Sequence, residues 1–232
     1  MTTNKEDKYG DDEMFESWAD INIFFPVSQQ LIDPLYCMGL TPNMVTIIST
    51  MCTLGAIYWL SQGHKYLATG SYLLGYILDC VDGRMARKYS MGSDLGMALD
   101  CVSDNVSNIV LFVYVLFNYP MSSINLIWIG LLAGLSYMLS VSYGLNEAVA
   151  SQLITGSDNF YERRVNQLKN KGCGYEKILY DLFLLVNKIS YISYRNLFES
   201  YDKDKIHKWL KILKHFGPGN YCLFVGLLCM LI

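Results

Sequence analysis

DCVDGRMARKYSMGSDLGMALDCVSD, residues 79–104, joins the end of one apolar run to the start of the next. Four carboxylates fall within it: Asp79, Asp82, Asp100 and Asp104. Ionised side chains are costly at membrane depth, so four together there mark a site before they mark an accident. Asp79 and Asp82 are three residues apart, Asp100 and Asp104 four. On helices, either spacing puts the pair on one face. Four acids converging from two helices repel one another unless positive charge lies between them. Hard divalent cations with oxygen ligands, Mg2+ or Mn2+, meet that need.

The surrounding chain supplies the helices. Of its 232 residues, 52% are hydrophobic and only 17% charged, which points away from a soluble globule. Apolar residues gather in six spans, 43–61, 66–83, 95–118, 124–146, 178–198 and 217–232. About 20 residues cross the hydrocarbon, and the first four spans meet that well. The fifth carries Asp181, Lys188 and Arg195, so it faces a polar interior or is shorter, and the sixth is barely long enough. The expected class is all-α, a polytopic membrane protein with about six transmembrane helices. Residues 1–40 form an acidic N-terminal segment with an interfacial helix, and 41–232 form the membrane domain.

Ahead of the first span, Phe15, Trp18, Ile21, Phe24, Phe25, Leu31 and Leu35 recur at roughly helical spacing, with Pro26 as an interruption. That pattern predicts an amphipathic helix lying on the membrane surface. Thr41 and Pro42 supply a cap and a first turn for the helix that follows. Net charge is −3, which offers nothing to a nucleic-acid partner. The seven cysteines lack metal spacing, lie mostly in apolar runs and imply no disulfide framework. The polar, acidic start lacks the basic n-region of a cleaved signal peptide.

The residues between the two acid pairs narrow the chemistry. Gly83 follows Asp82, Ala86 and Arg87 come three and four residues after it, and Gly96 stands one turn before Asp100. Small residues let a bulky ligand approach the backbone, and Arg87 offers a planar fork for phosphate. Written out, the pattern is D-x-x-D-G-x-x-A-R-x8-G-x-x-x-D-x-x-x-D. It resembles the signature of the CDP-alcohol phosphotransferase (CDP-alcohol phosphatidyltransferase class I) family at all eight fixed positions. Eight such positions coincide by chance at about one start in ten billion, so accident is set aside. The likeness is strict over 79–104 and looser over 43–232.

This resemblance implies an integral membrane transferase. It would move a phosphatidyl, or another substituted phosphate, from a CDP-alcohol to a small polar alcohol and release CMP. CDP-diacylglycerol is the expected donor, because the choline and ethanolamine enzymes of the family are longer. Inositol, glycerol 3-phosphate and serine stay open as acceptors, with LDCVSDN leaning slightly toward inositol. By the family's pattern Asp79, Asp82, Asp100 and Asp104 hold a two-metal site, and Asp104 is also the general base. Gly83, Ala86, Arg87 and Gly96 form the CDP-alcohol surface. The resemblance further implies a homodimer in the lipid bilayer.

Other residues have plainer readings. Arg84 and Lys88 read as ordinary charges on the cytosolic side, Asp94 as a solvated or capping residue. Glu147 reads as a snorkelling surface residue, Arg163 and Arg164 as solvated loop charges. Six crossings put the 84–94 and 147–177 connections with the N-terminus, in the cytosol by their Lys and Arg. That count puts the lysine-rich 199–216 loop opposite, against the same rule. The active site is nonetheless expected on the cytosolic face, where CDP-linked substrates are held. A membrane prenyltransferase would separate two Asp motifs by a long interval, and a cation transporter would leave Gly83, Ala86 and Arg87 unexplained.

Overall fold

The computed structural model describes residues 16–118, 123–155, 165–169, 171–200 and 203–231, and every regular element among them is helical. A π-helical turn, Asp20–Phe24, runs directly into α1, Phe25–Cys37. Four helices follow: α2, Pro42–Ser61; α3, Lys65–Lys88; α4, Asp94–Asn118; and α5, Ser123–Thr155. Then come α6, Tyr175–Ser200; α7, Lys203–Leu213; and, after a short 3-10 turn, α8, Pro218–Leu231. The all-α expectation holds among the described residues. Among the described residues two helices, α2 and α4, are long and apolar enough to cross a membrane, and Leu126–Ser142 within α5 is a shorter apolar stretch.

The local signals behave as their chemistry dictates. Thr41 caps α2, its hydroxyl accepting from the Met44 amide at 3.4 Å, and Pro42 occupies the first turn. Pro26 lies in the first turn of α1 directly after the π-helical turn, so the helix continues through it while its hydrogen-bond pattern shifts just before the proline, which has no amide to donate. The 199–216 stretch, expected as a loop, contains the helix α7, because its apolar residues recur at helical spacing between lysines.

α2 and α3 pack antiparallel along their length. Ser49 Oγ donates to the Gly75 carbonyl at 2.9 Å and Ser71 Oγ to the Cys52 carbonyl at 2.7 Å. Gly75 permits that approach: a Cβ there would stand 2.6 Å from Thr53 Oγ1. α8 is also antiparallel to α3, since Gly219 stands at the level of Tyr76 and Gly226 at the level of Thr69 and Leu73. It therefore runs parallel to α2. Strict alternation through six crossings demands the opposite, so α8 departs from that expected plan.

The first segment docks on α3. Phe25 lies under the Arg84 guanidinium at 3.9 Å, and Tyr36 stacks on Tyr89 with ring centroids 3.6 Å apart. The main core gathers Phe24, Leu60, Tyr72, Leu111, Leu132 and Val225 from five helices and the N-terminal turn. It lies to one side of the aspartates along α3 and α4, so the acid-bearing turns rest on packed apolar residues.

Candidate active site

A tight reversal between α3 and α4 brings the two acid pairs together. The Met91 amide donates to the Ala86 carbonyl at 2.8 Å, Ser90 takes a φ of 54°, and Ser93 Oγ accepts from the Gly96 amide at 3.0 Å. Five residues thus turn the chain, and the motif faces of the two helices meet.

One oxygen from each of Asp79, Asp82 and Asp100 lies within 4.8 Å of the others. Asp79 is also within hydrogen-bonding reach of Asp104, so all four predicted acids converge. Their settings differ. Asp82 is buried at 4% exposure, Asp79 and Asp100 are half-buried, and Asp104 is exposed. Thr46 Oγ1 donates to Asp82 Oδ2 at 2.5 Å, which fixes that carboxylate from α2. Asp79 Oδ1 is buried without a hydrogen-bond partner. An unpaired buried oxygen costs about 1–3 kcal/mol, and more when charged, so this arrangement calls for a ligand. A divalent cation fits: the donors are all carboxylate oxygens, they are close-set, and one is orphaned.

The remaining predicted residues flank that cluster. A Cβ on Gly83 would meet nothing nearer than Arg87 Nη1, at 3.4 Å, so the glycine and the guanidinium share one surface of α3. Ala86 lies on the same stretch, half-buried. Gly96 faces the start of α2, where a Cβ would stand 2.7 Å from Asn43 Oδ1.

Two charge readings need correction. Arg84 is not a solvated charge: it is 7% exposed and donates to Gln29 Oε1 at 3.2 Å beside Phe25. Asp94 is neither merely solvated nor a simple cap. It accepts from Gln167 at 2.8 Å and pairs with Lys171, tying the chain before α6 to the start of α4. That pairing holds the Lys171 ammonium above its usual range. Lys88 pairs with Asp33 at 2.8 Å, as a peripheral charge should. Arg163 and Arg164 lie outside the described residues, as does the side chain of Glu147.

Sequence reasoning missed Thr46 and Asp20. Thr46 sits one turn into α2, and its Pro42 carbonyl partner identifies only local helix bonding. Asp20 counted merely among the acids of the first segment. It is 1% exposed, accepts from Ser17 Oγ and Tyr76 Oη at 2.6 Å each, and accepts from the Gly219 amide at 3.0 Å. Burial pushes its carboxyl above the usual range, while those donors pull it back.

Comparison with known proteins defines the class. Residues 39–156 match the model of the CDP-alcohol phosphatidyltransferase family, about half of the chain and the whole acid-bearing turn. The chain belongs to that family. A CDP-diacylglycerol–inositol 3-phosphatidyltransferase of Saccharomyces cerevisiae is 33% identical over 79 residues, 34% of this chain and 36% of that one. A phosphatidylinositol phosphate synthase of Mycobacterium marinum is 32% identical over 90 residues, 38% of each chain. An archaetidylinositol phosphate synthase of Pyrococcus horikoshii is 36% identical over 74 residues, 32% of this chain and 39% of the relative. The match thus spans under two-fifths of each relative's length. No solved structure matches. Family and apolar helices together mark a membrane protein.

Proposed function

We propose that this chain is a phosphatidyltransferase, moving a phosphatidyl group from CDP-diacylglycerol to a hydroxyl of inositol or an inositol phosphate. The observation that carries the reading is the convergence of Asp79, Asp82 and Asp100 inside the family match. The inositol-linked names of the relatives support the acceptor.

Asp79, Asp82 and Asp100 would hold Mg2+ or Mn2+, with Asp104 completing the set. When bound, such cations neutralise charge on a diphosphate and on its departing oxygen. The chain's own residues do the rest. Thr46 holds Asp82 in place, and the open backbone at Gly83 leaves room for the nucleotide, with Ala86 one turn on. Arg87 pairs with diphosphate oxygens. Asp104, the most open of the four acids, takes the proton from the acceptor hydroxyl. The acceptor oxygen bonds to the phosphorus carrying diacylglycerol, the bond from that phosphorus to the bridging oxygen breaks, and CMP leaves with the electron pair. The site faces the cytosol, with α2 to α5 and α8 embedded and α6, which carries Asp181, Lys188 and Arg195 along its apolar run, against the membrane face.

The test is CMP release by the purified full chain from CDP-diacylglycerol, with inositol, inositol phosphate, glycerol 3-phosphate or serine. Release should rise with an inositol acceptor, vanish in EDTA and return with Mg2+ or Mn2+. Stimulation by serine alone would replace the acceptor. Undiminished release in chelator would overturn the metal-dependent site.

A further inference from the structure

Helix α7 contributes no residue to the aspartate site. Residues 203–214 carry five lysines, Lys203, Lys205, Lys208, Lys211 and Lys214, against the single acid Asp204. Its inner face is fixed. Leu210 and Leu213 are 0% and 5% exposed, and Ser142 of α5 donates to the Leu213 carbonyl at 3.3 Å. The outer face is open. Lys208 and Lys211, three residues apart, are exposed on one side, while Trp209 and Ile212 are 44% and 52% exposed on the flank beside them.

Position gives that face its meaning. α7 leads into α8, whose first turn is bound at the level of Tyr76 through Asp20. The Ala19 amide donates to Asn220 Oδ1 at 3.1 Å, and Asn220 Nδ2 donates to the His215 carbonyl at 3.0 Å, which secures the turn between α7 and α8. Tyr76 is three residues before Asp79 on α3, so α8 starts at the acid-bearing end of the bundle. That end carries the polar loop 89–93 and the Lys88–Asp33 pair. Lys208, Lys211 and Lys214 therefore lie at the same end of the bundle as Arg84, Arg87 and Lys88, which removes the conflict that a sixth alternating crossing created.

We propose that α7 is a docking surface for anionic lipid headgroups on the membrane face that carries the aspartate site. Exposed lysines supply the charge complement, and the exposed Trp209 and Ile212 supply the apolar flank that dips below the headgroups. The partner is a lipid surface rather than a nucleic acid or an acidic protein, because the apolar flank adjoins the charges.

Hydrogen exchange of the full chain in nanodiscs reads this directly. Amides of 203–213 should exchange on the order of tenfold more slowly in discs with anionic phosphatidylserine than in pure phosphatidylcholine discs. Raising salt to about 0.5 M should erase the difference, since screening then acts within a few ångströms. The triple variant Lys208→Gln, Lys211→Gln, Lys214→Gln should show equal exchange in both discs, with 42–61 unchanged as the folding control. Equal protection of wild-type α7 in both lipids overturns the proposal. So does a difference that survives high salt, whether or not the triple variant folds.

Discussion

Asp20 and Asp79 each place a carboxylate oxygen out of reach of solvent beside α3, yet one is satisfied and the other is not. Asp20 is enclosed by donors: two hydroxyls and the Gly219 amide in the first turn of α8. A helix start favours negative charge, so this acid fastens the first described segment to the last helix. Asp79 faces other acids and keeps one oxygen unpaired. The contrast separates a carboxylate whose ligands are the protein from one that waits for something else. Burial alone does not make the distinction; the census of donors does.

The largest test of that difference exchanges their roles. Asp79→Asn should lower CMP release by about 10²–10³-fold, the scale of removing one charge-stabilising group. Its thermal midpoint should hold or rise, because one source of repulsion is gone. Asp20→Ala should do the reverse, costing about 3 kcal/mol as Tyr76 and Gly219 lose their acceptor, with activity per folded molecule kept within about threefold. Unfolding curves in detergent, with CMP release normalised to folded protein, read both. Activity lost without stability in Asp20→Ala would break the comparison.

Glycines beside the two acids sharpen it at smaller scale. A Cβ on Gly219 would overlap the Asp20 carboxylate and stand 2.8 Å from the Asp20 backbone nitrogen, so Gly219→Ala should cost about 1–3 kcal/mol. A Cβ on Gly83 meets only the flexible tip of Arg87. Gly83→Leu should therefore fold and still take up cation, yet bind CMP at least about tenfold more weakly through lost space. Equilibrium binding of CMP at saturating Mg2+ decides this, and wild-type affinity would remove Gly83 from the nucleotide surface.

What could be read in advance followed the reach of local rules. The helices fall close to the apolar runs, and Thr41 and Pro42 start α2, because a cap and a first turn involve only four or five residues. The acid cluster was legible for the same reason: both halves flank one short turn. Partners far apart in sequence were not. Asp20 is 199 residues from Gly219 and 56 from Tyr76, and no periodicity joins them. Arg84 resembles its neighbour Lys88 in sequence, and only the docking of α1 sends one inward and leaves the other at the edge. The direction of α8 was also hidden, since counting apolar runs assumes that each one crosses.

The weakest carboxylate in the comparison is Asp33, which is neither buried nor orphaned. Lys88 Nζ lies 2.8 Å from its Oδ1, and Tyr89 Oη donates to the same oxygen at 2.7 Å. Those two partners hold the Asp33 carboxyl below its usual range. A carboxyl lowered in the fold contributes stability above its unfolded value of 3.8, and loses it as pH falls through the lower folded value. The direction for Asp20 is opposite: a raised carboxyl is most favourable to folding below 3.8 and grows costlier as pH rises through its folded value. Between pH 7 and pH 3, Asp33→Asn should therefore flatten the acid-side fall in thermal midpoint, and Asp20→Asn should steepen it. The Asp33 effect should be about 2 °C or less, because its side chain is 59% exposed and solvent screens the pair. Midpoints measured across that range in both variants give the signs directly. Slopes of the same sign would mean that Asp20 is held ionised as firmly as Asp33, with the start of α8 outweighing burial.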